Sequence, residues 1–89
     1  MENVDPKAAA ERMKTIRKAK GIKSQTAMAK LIGAEINQYN NWERGVAIMP
    51  VTFGIRFAAF TGASLDYIYL GDMSNMPMSL VQHLHKSKE

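Results

Sequence analysis

The segment from Ser24 to Gly45, SQTAMAKLIGAEINQYNNWERG, leaves this chain few ways to fold. Ser24 is a helix-capping residue, Gln25 to Ile32 predicts a short helix, and Gly33 breaks it. A second short helix is predicted from about Ile36 to Glu43, stopping at Gly45. The small Ala29 and Gly33 let the two helices meet at a sharp angle.

The flanking sequence is helical as well. Asp5-Pro6 predicts a helix start, with an acceptor followed by a residue whose φ already suits a helix. Ala9, Met13 and Ile16 then form an apolar stripe that ends near Gly21. Pro50 opens a helix over about Val51 to Thr61, with Phe53, Phe57 and Phe60 expected inward. Ser64 caps another from Leu65 to Leu70, with Asp66 near its N-terminus, where the helix dipole favours negative charge. After a linker, Met76, Leu80 and Leu84 recur every four residues and predict a sixth helix from about Pro77 to Lys86. No alternating, strand-like run of useful length occurs. The expected architecture is all-α: a compact orthogonal bundle of five helices in a domain over 1–71, with a short helical tail over 72–89.

A length of 89 residues is one domain. The absence of cysteine removes disulfides and thiolate metal sites and favours a reducing compartment. The opening MENVDPKAAAER has no apolar run after its basic residues, so no secretory leader is expected. No apolar stretch approaches the ~20 residues that span a bilayer. The expectation is a cytoplasmic protein. Eight of its twelve Lys and Arg residues lie between Lys7 and Lys30, against Glu11 alone. Such an asymmetry suits a polyanionic partner, although a solvated basic face would account for it equally well.

The helix over 36–43 divides sharply when it is wound at about 100° per residue from Ile36. Asn40, Arg44, Asn37 and Asn41 fall within an arc of roughly 40–140°, and Trp42 and Tyr39 fall at roughly 240–300°. One face is aromatic and the other rich in asparagine, a mediocre helix former. Each asparagine alone can be read as merely solvated. Together they suit the major groove of DNA, where an amide offers a donor and an acceptor to the N6/N7 edge of adenine. Ile36 on the same face would pack against a thymine methyl, and the N-terminus of the preceding helix would aim N–H groups at phosphate, assisted by Gln25.

Gln25, Met28, Ala29, Gly33, Tyr39, Trp42 and Glu43, followed by Arg44-Gly45 and then by AAFTGASLDYIYLG over 58–71, carry a resemblance. Over about residues 9–71 the chain resembles the Xre-type helix-turn-helix family, the lambdoid repressor and Cro-like DNA-binding domains. The resemblance implies a lambda-repressor-like bundle whose third helix enters the major groove, with Ile36, Asn37, Asn40 and Asn41 near base edges. It implies that Ser24, Gln25 and Arg44 lie against phosphates and that a homodimer binds a two-fold site in double-stranded DNA. It also suggests an ion pair between Arg17 and Glu43, which sits at the border of the buried face. The chain departs from the family in having three residues between Gly21 and Gln25, where two are common. It departs again at Glu35, where a small hydroxyl residue often faces phosphate. A carboxylate there would repel phosphate, accept from a cytosine N4, or cap the helix.

Little else suggests chemistry. His83 and His85 are two apart and point in different directions from one helix, so no metal site is expected. No phosphate-binding loop, acid pair or Ser/His/Asp set appears, so neither an enzyme nor a cofactor is expected. Met73, Met76 and Met78 cluster in the tail, either as an adaptable interface or as a satellite core. Two functions remain open. One is a sequence-specific transcriptional regulator of the repressor type. The other is an antitoxin or protein-interaction module of the same fold, holding a protein partner through residues 72–89.

Overall fold

Helix starts follow the side chains that can cap them. The computed structural model describes residues 4–87, the last five by backbone alone. Among these the chain is all-helical, with six helices and no strand. Asp5 Oδ1 accepts from the Lys7 N–H at 3.0 Å, and Pro6 opens α1 (Pro6–Ala19). Ser24 Oγ accepts from the Ala27 N–H at 3.0 Å and starts α2 (Gln25–Ile32). Glu35 precedes α3 (Ile36–Glu43), and α4 (Val51–Thr61) follows Pro50 with no side-chain cap. Ser64 Oγ accepts from the Tyr67 N–H at 3.1 Å to begin α5 (Leu65–Leu70). The last helix, α6, covers Met78–Ser87.

The turn at Gly33 requires glycine. Its φ is 72°, a left-handed conformation, and a Cβ there would also meet Arg56 Nη1 at 3.2 Å. The chain closes the turn by donating from the Ala34 N–H to the Ala29 carbonyl at 2.9 Å. With only Ala34 and Glu35 between them, α3 can then begin soon after Gly33 and cross α2 closely.

α1 is the central element, with α3, α5 and α6 packed against it, while α2 links α3 to α4. Met13, Ile16, Met28, Ile32, Tyr39, Phe57 and Ile68 are fully buried in one core. Removing such a side chain from water contributes roughly 1.5–3 kcal/mol. Arg12 Nη1 fastens α1 to α5 by donating to the Ile68 carbonyl at 2.9 Å. Tyr69 passes over Gly54 of α4 and donates from Oη to the Met49 carbonyl at 2.7 Å. A Cβ on Gly54 would lie 3.0 Å from Tyr69 Cε2 and 3.1 Å from Cζ, and closer still to Oη, so only glycine admits that crossing.

Two expectations need correction or extension. Phe60 does not point inward: it is 53 % exposed, because Gly54, Phe57 and Thr61 define the buried edge of α4 and Phe60 lies off that edge. The tail is not set apart from the bundle. Met76 and Leu80 join the same core, and Met76 sulfur accepts from the Ser64 N–H at 3.2 Å. α6 lies along α1. The side chains of His83, Leu84 and His85 fall outside what the structure describes.

Candidate nucleic-acid interface

The inner face of α3 is anchored by a buried polar cluster. Arg17 of α1 donates from Nε to Glu43 Oε2 at 2.9 Å and from Nη2 to Oε1 at 3.2 Å. The Glu43 side chain has no solvent exposure and that of Arg17 has 6 %, so the ion pair is dry. Gln25 Nε2 donates to Glu43 Oε1 at 3.1 Å, and the Tyr39 hydroxyl donates to Oε2. Arg17 Nη1 donates to the Ile22 carbonyl at 2.9 Å, bringing the α1–α2 connection into the same cluster. Four donors on one carboxylate, with the guanidinium opposite, satisfy a group that would otherwise be costly to bury. Burial, first, and then the neighbouring Glu43 carboxylate push the Tyr39 hydroxyl far above its ordinary pKa, so it remains a donor. Tyr39 also meets Trp42 edge-on, with ring centroids 5.9 Å apart, and Trp42 packs on Phe53 at 5.2 Å.

Outward, Ile36, Asn37 and Arg44 are exposed. Asn41 is half-buried, with Oδ1 3.5 Å from Arg44 Nη1, so these two side chains lie together on the exposed side. Gln38, a residue that sequence reasoning passed over, is also exposed there and can donate and accept like the asparagines. It lies beyond the asparagine arc on the helical wheel, which is why the pattern did not draw attention to it. Asn40 departs from the expectation of an outward base-reading amide. It is half-buried, and its Oδ1 is sealed from solvent with no hydrogen-bond partner among the described residues. An amide in that orientation does not offer a donor and acceptor together to a base edge. The cause is its position one residue past Tyr39, at the margin of the core.

The two helix N-termini beside this face differ. On α2, Ser24 Oγ satisfies the Ala27 N–H, and the Ser24 carbonyl accepts from Met28 at 3.2 Å. The N–H groups of Gln25 and Thr26 have no partner within the helix and stand at its positive end. On α3, Glu35 is the cap: its oxygens accept from the Asn37 and Gln38 N–H groups, each at 3.1 Å. That N-terminus therefore already carries a carboxylate and is closed to a phosphate. Ser24 is exposed, whereas Gln25 is half-buried with its amide committed to Glu43 rather than held out for an anion.

Exposed Lys23 and Lys30 flank α2 at either end, and Lys18 and Lys20 lie at the end of α1. Among the described residues, no group of three His, Cys, Asp or Glu could hold a metal ion. No helix among them is long and apolar enough to cross a membrane. No protein-family model, curated protein or solved structure matches the chain.

Proposed function

We propose that the protein is a sequence-specific DNA-binding regulator of the repressor type. On this reading α2, the Gly33 turn and α3 act as a helix-turn-helix in a lambda-repressor-like bundle, and a homodimer sits on a two-fold operator. The observation that carries the reading is the division of α3. Its inner face is locked to α1 and α2 through Glu43, while the outer face offers Asn37, Gln38, Asn41 and Arg44 with no acidic residue other than the capping Glu35. A helix held that firmly by one side can present the other to a groove without rearranging, which keeps the entropic cost of binding low.

The parts then have distinct tasks. Asn37 and Asn41 read base edges, with Ile36 against a thymine methyl and Gln38 as a further polar reader. Arg44 approaches the backbone, and the open N–H groups of Gln25 and Thr26 receive a phosphate, with Ser24 holding the start of α2 in place. Glu35 keeps phosphate away from the start of α3. In the alternative, in which the tail holds a protein partner, Met76 and Leu80 are taken up by the core and the 70 % exposed Met78 is the apolar side chain left to anchor one.

The test is selection of bound sequences from random duplex DNA at two salt concentrations. A defined motif is expected, with affinity falling by ~0.9 in the log–log slope for each phosphate neutralised. Changing Asn37 or Asn41 to Ala is expected to relax base preference at one position, with a loss on the order of 1–3 kcal/mol. Recovery of no motif by the wild-type protein would end the proposal.

A further inference from the structure

The fold leaves one side-chain oxygen unanswered. Asn40 Oδ1 is sealed from solvent and has no hydrogen-bond partner among the described residues. Nearly every buried polar atom in a folded chain is bonded, because one that is not has given up water for nothing. An alanine at this position would remove the cost and form a better helix. The other half of the amide is placed differently. Asn40 Nδ2 is neither sealed nor bonded to the described residues, and the residue as a whole is only half-buried. The reverse orientation would seal two N–H donors in place of one acceptor, so the oxygen is the atom that goes inward. What Asn40 shows to the outside is a donor without its acceptor. Its neighbours have the same character. Arg44, exposed one turn further along the same row, can only donate, and Asn41 has Oδ1 turned toward Arg44 Nη1 at 3.5 Å. Asn37 and Gln38, on the first turn of α3, are exposed with both kinds of group.

We propose that Asn40 selects guanine, through an amide whose oxygen is withdrawn into the bundle. The proposal rests on the DNA-binding reading above and adds the base that this one position requires. In the major groove guanine presents two neighbouring acceptors, N7 and O6. Adenine sets an N6 donor beside its N7, and cytosine presents a donor alone. A side-chain NH₂ with no oxygen beside it therefore finds two acceptors on guanine, and meets a donor on adenine or cytosine. Thymine offers one acceptor, O4, with a methyl group next to it. An asparagine free to turn both halves outward pairs with adenine, so burial of Oδ1 reverses the usual preference. The row Ile36, Asn40, Arg44 supports this placement. Ile36 and Arg44 stand four residues to either side and are both exposed, so the outer half of the Asn40 amide lies between two residues that reach the surface. The sealed oxygen then has a use: it fixes which half of the amide faces the groove before DNA arrives, so no rotamer has to be selected on binding.

The experiment selects bound sequences from random duplex DNA with the full-length wild-type chain and with Asn40→Ala, and melts both proteins beside Asn37→Ala. The wild type is expected to enrich a motif with guanine at one position. Asn40→Ala is expected to lose about 10-fold of the preference there and to keep the rest of the motif. Asn37→Ala makes the same gain in helix propensity at an exposed site and is the reference for stability. Asn40→Ala also deletes the sealed oxygen, so it is expected to melt higher than Asn37→Ala, by ~4 °C or more. A motif that Asn40→Ala leaves unchanged overturns the assignment while leaving DNA binding intact. So does a change confined to an adenine, or a uniform loss of affinity across sequences, which marks a phosphate contact. An Asn40→Ala protein that melts at or below Asn37→Ala overturns the unpartnered oxygen on which the assignment stands. A wild type that enriches no motif ends DNA binding itself, and the guanine reading with it.

Discussion

Replacing Glu43 with Gln keeps nearly the same shape and removes one charge, in a place where the surroundings cannot adapt by admitting water. The native carboxylate receives donors from Arg17 Nε and Nη2, Gln25 and Tyr39. An amide can accept on one side only. Its NH₂ must face either Arg17 Nη2 with Gln25, or Arg17 Nε with Tyr39, and in both cases donor meets donor. Arg17 keeps its bond to the Ile22 carbonyl but loses its counter-charge while its side chain is only 6 % exposed. Breaking a buried pair in this way costs about 3–5 kcal/mol. A domain of this size holds roughly 4–13 kcal/mol in all, so Glu43→Gln removes a quarter or more of the stability. At ~4–8 °C per kcal/mol for a small domain, the midpoint falls by at least ~12 °C. Urea unfolding followed by circular dichroism reads the same loss, with an unchanged m-value showing that the unfolded state is not involved. The pair Arg17→Met with Glu43→Leu replaces both charges by apolar groups and is expected to be more stable than Glu43→Gln alone. A loss under ~1 kcal/mol for Glu43→Gln, or a double variant whose loss equals the sum of its singles, would refute the account of Glu43 as the tie between α1, α2 and α3.

Other outcomes follow from the same geometry. Gly54→Ala places a methyl against the Tyr69 ring and should cost about 1–3 kcal/mol by urea midpoint, despite the better helix propensity of alanine. Alkaline stability is set by three tyrosines: burial raises Tyr67, burial raises Tyr69 to about 12, and burial followed by the Glu43 carboxylate raises Tyr39 further, against 10.0 in the unfolded chain. The native state therefore keeps protons that the unfolded state releases. Stability should be full below pH 10 and fall above it by up to ~1.4 kcal/mol per pH unit for each tyrosine, through about pH 12 for Tyr69. Thermal melts alongside tyrosinate absorbance would show this, and an unchanged melting temperature between pH 10 and 11.5 would count against it. Glu35→Ser retains a capping oxygen and deletes the carboxylate, so stability should change by less than ~0.5 kcal/mol, while affinity for non-specific duplex DNA at low salt should rise; equal affinity would mean that Glu35 stands clear of phosphate.

Residues whose effect is local were the most legible in the sequence. Asp5, Ser24 and Ser64 cap helices through N–H groups two or three residues away, and Gly33 makes its turn unaided. Glu35 had three readings, and its two oxygens reach N–H groups two and three residues on, so the nearest of them prevails. Helical periodicity placed Tyr39 and Trp42 inside correctly, because each lies well within the apolar arc. It was less informative at the margins. Asn40 sits where an arc drawn from a wheel has no sharp edge, and three phenylalanines on α4 could not reveal that Phe57, with Gly54 and Thr61, would define its buried side. Gln25 was the least accessible to inference: its amide meets Glu43 across 18 residues of chain, and only the packing of α2 on α3 brings them together.

The two-sided construction of α3 has a consequence for how such a chain can change over generations. Tyr39, Trp42 and Glu43 are each tied to several neighbours, so any one of them can be altered only together with others. Asn37, Gln38 and Arg44 have no side-chain contact that holds the bundle together, the last reaching only Asn41 at 3.5 Å. Substitutions there lie on nearly level ground for folding, typically within ~0.5 kcal/mol. The outer surface of the helix is therefore free to drift toward new partners while the bundle beneath it stays fixed, and descendants of one sequence could diverge in what they recognise long before they differ in shape.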